Sequence, residues 1–105
     1  VIIVGVPNGN SLHRLVGVEM GFLDEPCQLN KRDINLGHRR VYTTETLKKD
    51  IIAAGLSIKQ YGGVFLKPFP NSQIESSWDE KRIDGFFKMG KLFPENAADI
   101  FCVCA

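Results

Sequence analysis

Hydrophobic and polar positions alternate in blocks along this chain, and each block predicts an element. Val1-Ile2-Ile3-Val4-Gly5-Val6 is apolar and β-branched without alternation, the pattern of a strand buried on both faces inside a sheet. Pro7-Asn8 stops it, since proline has no N–H for the ladder and Asn favours a turn. Asn10 or Ser11 is placed to cap a short helix whose apolar face is Leu12, Leu15 and Val16, and Gly17 and Gly21 limit its length. Phe22 to Leu36 is polar, carries Pro26 and reads as a surface excursion with one helical turn at most. Thr43 to Ala54 is the plainest helix. Thr43 caps it, Glu45 sits in the first turn, Leu47, Ile51 and Ala54 repeat on one face, and Gly55 suits the left-handed position after the last turn. Ser57 to Tyr61 alternates as a strand, which Val64 to Lys67 continues beyond Gly62-Gly63. Paired glycines in a strand predict a bulge or a close backbone approach. A second amphipathic helix is expected from about Ser77 to Lys91, capped by Ser76 or Ser77, with Trp78, Ile83, Phe86, Phe87 and Met89 as its apolar positions. Asp99 to Ala105 is the last strand, apolar almost throughout and therefore central.

This order makes the fold class α/β. Two of its three strands are apolar on both faces, and a three-stranded sheet built from them would leave bare edges. The expectation is that residues 1–105 are the C-terminal part of a larger α/β domain, the first strand being an interior one. A missing N-terminal half, or a homo-oligomer partner, would then cover the sheet edge.

Composition changes the picture only by exclusion. The 105 residues suffice for one modest domain, and 44% hydrophobic content argues against disorder. Lys+Arg 13 against Asp+Glu 12 leaves a net charge of +1, with no general attraction to nucleic acid or an anionic membrane. No apolar run approaches the ~18 residues of a membrane span. Cys27, Cys102 and Cys104 show neither C-x-x-C nor Cys/His metal spacing. They read as reduced, buried thiols, which suits a cytoplasmic compartment. Cys102 and Cys104 would face the same side of the last strand.

The candidate chemistry sits in two short runs. Asn8, Ser11, His13 and Arg14 follow the first strand; His38, Arg39, Arg40 and Tyr42 precede the long helix. Both runs fall where strands of an open α/β sheet end and ligands bind. Histidine is the side chain that exchanges a proton near neutral pH, so His38 is the candidate base. The arginines suit an anionic substrate group. The competing readings are structural: turn and cap chemistry for Asn8 and Ser11, the wet face of a helix for His13 and Arg14, solvated arginines and a backbone-bonded His38. Lys67 either enters the same cleft or stands exposed at a strand end. Trp78, Phe86, Phe87 and Phe93 are either core or the wall of an apolar pocket.

Taken together, Val6-Pro7-Asn8, Ser11-Leu12-His13-Arg14, Gly37-His38-Arg39-Arg40-Val41-Tyr42-Thr43, Ala54-Gly55 and Gly62-Gly63-Val64-Phe65-Leu66-Lys67-Pro68 carry a likeness. The chain resembles the C-terminal half of class I S-adenosylmethionine-dependent methyltransferases, more narrowly the bacterial small-molecule branch that includes the ubiquinone-biosynthesis O-methyltransferases. The likeness covers most of residues 1–70, weakens over 71–96 and returns in the last strand. It implies a doubly wound, mostly parallel seven-stranded sheet, of which this chain supplies strands five, six and seven, the last inserted antiparallel between the other two. It also implies a methyl group passed from S-adenosylmethionine to a small-molecule acceptor, with His38 as catalytic base and Asn8, Ser11, His13, Arg14, Arg39, Arg40 and Tyr42 around the acceptor. The family's glycine-rich turn after its first strand, and the acidic residue that follows its second, have no counterpart here. The cofactor is thus expected to be held mainly by the missing N-terminal half, and this chain alone to be inactive. The rival reading is a stand-alone binding module that completes its sheet with a partner chain.

Overall fold

The last strand organises the molecule. The computed structural model describes residues 1–105, in which three strands, β1 (Ile2–Pro7), β2 (Ile58–Val64) and β3 (Asp99–Cys104), form one sheet in the order β1-β3-β2. β3 is antiparallel to both neighbours, so β1 and β2 run the same way with β3 between them. Side chains alternate along β3, and Ile100, Cys102 and Cys104 all point to one face, where each is fully buried. Helix α3 (Thr44–Ala53) covers that face with Leu47 and Ile51, and Val4, Val6, Ile58 and Tyr61 complete the layer. Each such apolar side chain contributes about 1.5–3 kcal/mol by leaving water.

Local signals explain α3 well. Thr43 caps it, its hydroxyl accepting from the Thr46 N–H while the Thr46 hydroxyl accepts from the Thr43 N–H. Gly55 lies at φ 85°, the left-handed stop the sequence calls for. The remaining elements are α1 (Leu12–Glu19), α2 (Lys31–Asn35), α4 (Asn71–Glu75), α5 (Glu80–Met89) and a 3-10 turn at Pro94–Asn96.

Within this chain β1 is an edge strand, with Ile3 71% exposed and Ile2 49% exposed. Three expectations need correction. The strand expected to reach Lys67 ends at Val64, because Phe65 turns to φ 68° and leaves the ladder. The helix expected from Ser77 to Lys91 is the shorter α5: Trp78 lies before it, in the link from α4, and Asp79, not Ser76 or Ser77, caps α5 by accepting from the Arg82 N–H. Cys102 and Cys104 are buried, whereas Cys27 is only half-buried, and all three are free thiols.

The glycine pair in β2 also resolves. The register irregularity falls earlier, between Ile58 and Gln60. Gly62 lies under the Phe101 ring, and Gly63 is approached by Pro94, Ala97 and the Gly90 carbonyl, so both positions are close approaches of the protein to itself. No helix of the chain is long and apolar enough to cross a membrane.

Candidate functional site

β1 and β2 end, and β3 begins, at one edge of the molecule. The two candidate runs meet there. Asn8 and Tyr42 form an isolated parallel bridge, and the Gly9 N–H donates to the Tyr42 carbonyl at 2.7 Å. The loop holding His38 to Tyr42 is thereby stitched to the end of β1. Two concavities flank the seam and share His38 and Pro7. A groove of about 400 Å³ runs along the free edge of β1, between Gly5-Val6-Pro7 and His38, Arg39, Arg40 and Tyr42. A cleft of about 320 Å³ lies on the other side, with His13, Asp33, His38, Lys67, Asn71 and Asp99 among its walls. A larger apolar hollow of about 530 Å³ beside α1 has Glu19 as its one titratable group and offers no comparable chemistry.

The polar atoms of several candidates are engaged by the chain itself. Asn8 is 1% exposed; its Nδ2 donates to the carbonyls of Glu95 and Ala97, each at 2.9 Å, and its Oδ1 accepts from the Asn10 N–H at 3.0 Å. Ser11 is buried, with Oγ hydrogen-bonded to His13 Nδ1 at 3.1 Å. Arg14 is buried too. Its guanidinium donates to the Pro26 and Gln28 carbonyls and lies 3.4 Å from the Asp33 carboxylate. Arg40 pairs with Asp50 at 3.3 Å and lies over the Tyr42 ring, whose hydroxyl donates to Asp50 at 2.8 Å. Arg39 stands exposed at the groove.

Sequence reasoning missed Asp33, which organises this edge. It closes a capping box on α2, accepting from the Asn30 N–H at 2.9 Å while its own N–H donates to Asn30 Oδ1 at 2.8 Å. Its other oxygen lies 3.4 Å from His38 Nδ1, and the His38 N–H donates to the Asp33 carbonyl at 2.9 Å. Gly37, at φ 81°, supplies the left-handed turn that brings His38 back over α2. Burial alone would raise the Asp33 pKa. The Asn30 N–H, the His38 hydrogen bond and the Arg14 guanidinium outweigh it and hold the carboxyl below its ordinary value. Asp33 is therefore an anion that engages Nδ1 of His38, while Nε2 makes no side-chain hydrogen bond within the chain. The readable signal was Asn30-x-x-Asp33, a capping pattern just ahead of Gly37-His38.

His13 behaves differently. Burial, then the nearby charges of Lys67 and Arg14, push its pKa from 6.5 down to about 4. The fold thus holds it neutral, and the unfolded chain binds the extra proton between those two values. Stability accordingly rises with pH across that window and is lost as pH falls from 6.5 toward 4. Full linkage would exceed 3 kcal/mol, but the ring is only partly buried, so a loss of about 2 kcal/mol is expected. Asp33, with its lowered pKa, adds its own loss at more acid pH, whereas the raised pKa of Asp99 works slightly in the opposite direction. Urea unfolding at pH 7 and pH 4.5 measures this. His13→Asn is expected to flatten the difference, and an unchanged slope would assign it to the carboxylates.

Trp78 packs against Phe86 and Phe69, with ring centroids 4.9 and 6.4 Å away, and Phe65 packs against Phe87 at 5.6 Å. These aromatics hold α5 to the loop after β2. No group of three or more His, Cys, Asp or Glu side chains is placed to hold a metal ion. No protein-family model and no curated protein matches the chain.

Proposed function

We propose that this chain is the acceptor-side portion of a class I S-adenosylmethionine-dependent methyltransferase acting on a small molecule. The observation that carries the reading is the sheet order β1-β3-β2, with the last strand antiparallel between two strands of common direction. That is the arrangement the resemblance implies for strands five, seven and six. In the full seven-stranded, doubly wound sheet, a further strand lies along the free edge of β1, and helices from the same upstream polypeptide cover Ile3.

The cofactor belongs mostly to that upstream part. Pro7 has no N–H to give a nucleoside, and the Asn8 amide is already bonded within the chain. S-adenosylmethionine supplies a sulfonium methyl already activated for displacement, which leaves this chain to orient the acceptor and take its proton. His38 takes the proton on the nitrogen that Asp33 leaves free, and the loop from Arg39 to Tyr42 forms the rim of the site.

The test joins sequence and binding. The polypeptide encoded upstream of Val1 is expected to carry a glycine-rich strand–turn–helix roughly 100 residues earlier, a spacing set by ordinary domain size. By calorimetry, a protein containing both parts is expected to bind S-adenosylmethionine, and the 105-residue chain is not. Micromolar binding by the short chain, or an upstream sequence without that turn, would overturn the reading. The free β1 edge favours one rival, pairing with a second copy. That rival predicts a concentration-dependent dimer in sedimentation by the protein containing both parts.

A further inference from the structure

We infer that the cleft between His13 and Asp99 is built for a small carboxylate that also carries a hydroxyl or amino group, its anionic end seated on Lys67. This names the acceptor class of the proposed methyltransferase and rests on that reading for its purpose, though not for its chemistry.

Lys67 is placed by a loop that is fixed from several directions. Phe65 adopts a left-handed φ of 68°, a conformation rare for an aromatic residue. Hydrogen bonds hold it there: its N–H donates to the Phe87 carbonyl at 3.1 Å, and its carbonyl accepts from the N–H groups of Ala98 at 2.6 Å and Lys67 at 3.0 Å. The Leu66 N–H donates to Phe86 at 2.8 Å, so the end of α5 pins the turn as well. Pro68 then limits the backbone of Lys67 from the other side. A strained residue held by this many partners, two residues before a cationic side chain in a cleft, points to a functional position.

The ammonium makes no ion pair. Nζ donates to the neutral Oδ1 of Asn71 at 3.0 Å and has no carboxylate within the 4.0 Å of an ion pair. The other cleft charges divide unequally. Arg14 and His38 already share Asp33, and the Asp99 carboxylate lines the same cleft but pairs with no cation. Half-burial pulls the Lys67 pKa below lysine's usual value, with Asp99 opposing the shift and Arg32 adding to it. A ligand carboxylate restores what the ammonium has lost by leaving water. Asp99 then accepts from the hydroxyl or amino group at the other end. The cleft volume of about 320 Å³ admits a small molecule, and its polar walls disfavour a lipid-like one.

The experiment needs no S-adenosylmethionine. Amide shifts of the full chain are followed by NMR during titration with 4-hydroxyphenylacetate, lactate and glycinate, and with the uncharged 4-hydroxyphenylacetamide. The expected result is shifts at the amides of Lys67, Phe69, Asn71, His13 and Asp99, with 4-hydroxyphenylacetate binding about tenfold more tightly than its amide. Lys67→Gln is expected to erase that preference by weakening the carboxylate to the level of its amide. Should that variant not fold, salt decides: raising NaCl from about 20 to about 500 mM must weaken the carboxylate and spare the amide. Equal affinities, a preference that survives Lys67→Gln, or no shift with any of the carboxylates overturns the inference. Carboxylate binding without methyl transfer by the longer protein counts against the methyltransferase reading alone. Transfer to neutral acceptors with no carboxylate preference counts against the anion site alone.

Discussion

An Arg14→Met variant is expected to unfold with about 3–5 kcal/mol less free energy than the parent chain, measured by urea denaturation at pH 7. The side chain is 7% exposed and its partner Asp33 10% exposed, so the pair is a buried one. Removing the guanidinium leaves a carboxylate anion in a poorly solvated place and strips the Pro26 and Gln28 carbonyls of their donor. Methionine fills similar space, so the loss is electrostatic and not a cavity effect. The double variant Arg14→Met, Asp33→Asn tests this directly. Asn at position 33 keeps an oxygen for the Asn30 N–H while removing the stranded charge. It is expected to recover part of the loss, with a coupling of about 1–3 kcal/mol. Additive losses would show that Arg14 acts through the Pro26–Gln28 loop alone. The site should respond too, since Arg14 holds the excursion that carries α2, and α2 carries Asp33 against His38.

That arrangement explains what the sequence could and could not reveal. Helix α3 was legible because its determinants are local: Thr43, Leu47, Ile51 and Gly55 lie within one span and obey one periodicity. The burial of Ile100, Cys102 and Cys104 was legible from an apolar run. The order of the strands was not contained in any local pattern and came only through the resemblance. Asp33 escaped notice because its partners Arg14 and His38 stand 19 and 5 residues away, across an excursion with no apolar periodicity. Asn8 read equally well as a turn residue and a ligand. Its amide bonds lie 87 and 89 residues along the chain, a distance over which pattern carries no information. The end of β2 was misread for a related reason. Phe65 has a strand-forming side chain, yet bonds to Phe87 and Ala98 impose a backbone geometry that its own propensity opposes.

Gly85 and Gly90 belong to one helical segment and look alike in sequence, yet their alanine variants should move stability in opposite directions. A Cβ on Gly85 meets nothing within 4 Å, and the residue is exposed in the middle of α5. Gly85→Ala therefore gains about 0.5–1 kcal/mol, because the unfolded chain loses freedom and the helix keeps its geometry. Gly90 caps the same helix at φ −58°, which alanine adopts without strain, so propensity alone predicts a gain there as well. Packing reverses it. A Cβ at Gly90 would lie 2.4 Å from the Phe65 nitrogen and 2.6 Å from the Val64 carbonyl carbon, and backbone atoms cannot rotate aside. The helix end must lift from β2, at a net cost of about 3 kcal/mol. Lifting it also pulls at the Phe86 and Phe87 carbonyls that hold Phe65 and Leu66, and through them at Lys67. Gly90→Ala is accordingly expected to lower the melting temperature and to speed hydrogen exchange at the Phe65 and Leu66 amides. Gly85→Ala raises the melting temperature with those amides unchanged. A stabilised Gly90→Ala protein would mean that α5 does not press on the end of β2, and the placement of Lys67 would lose its support.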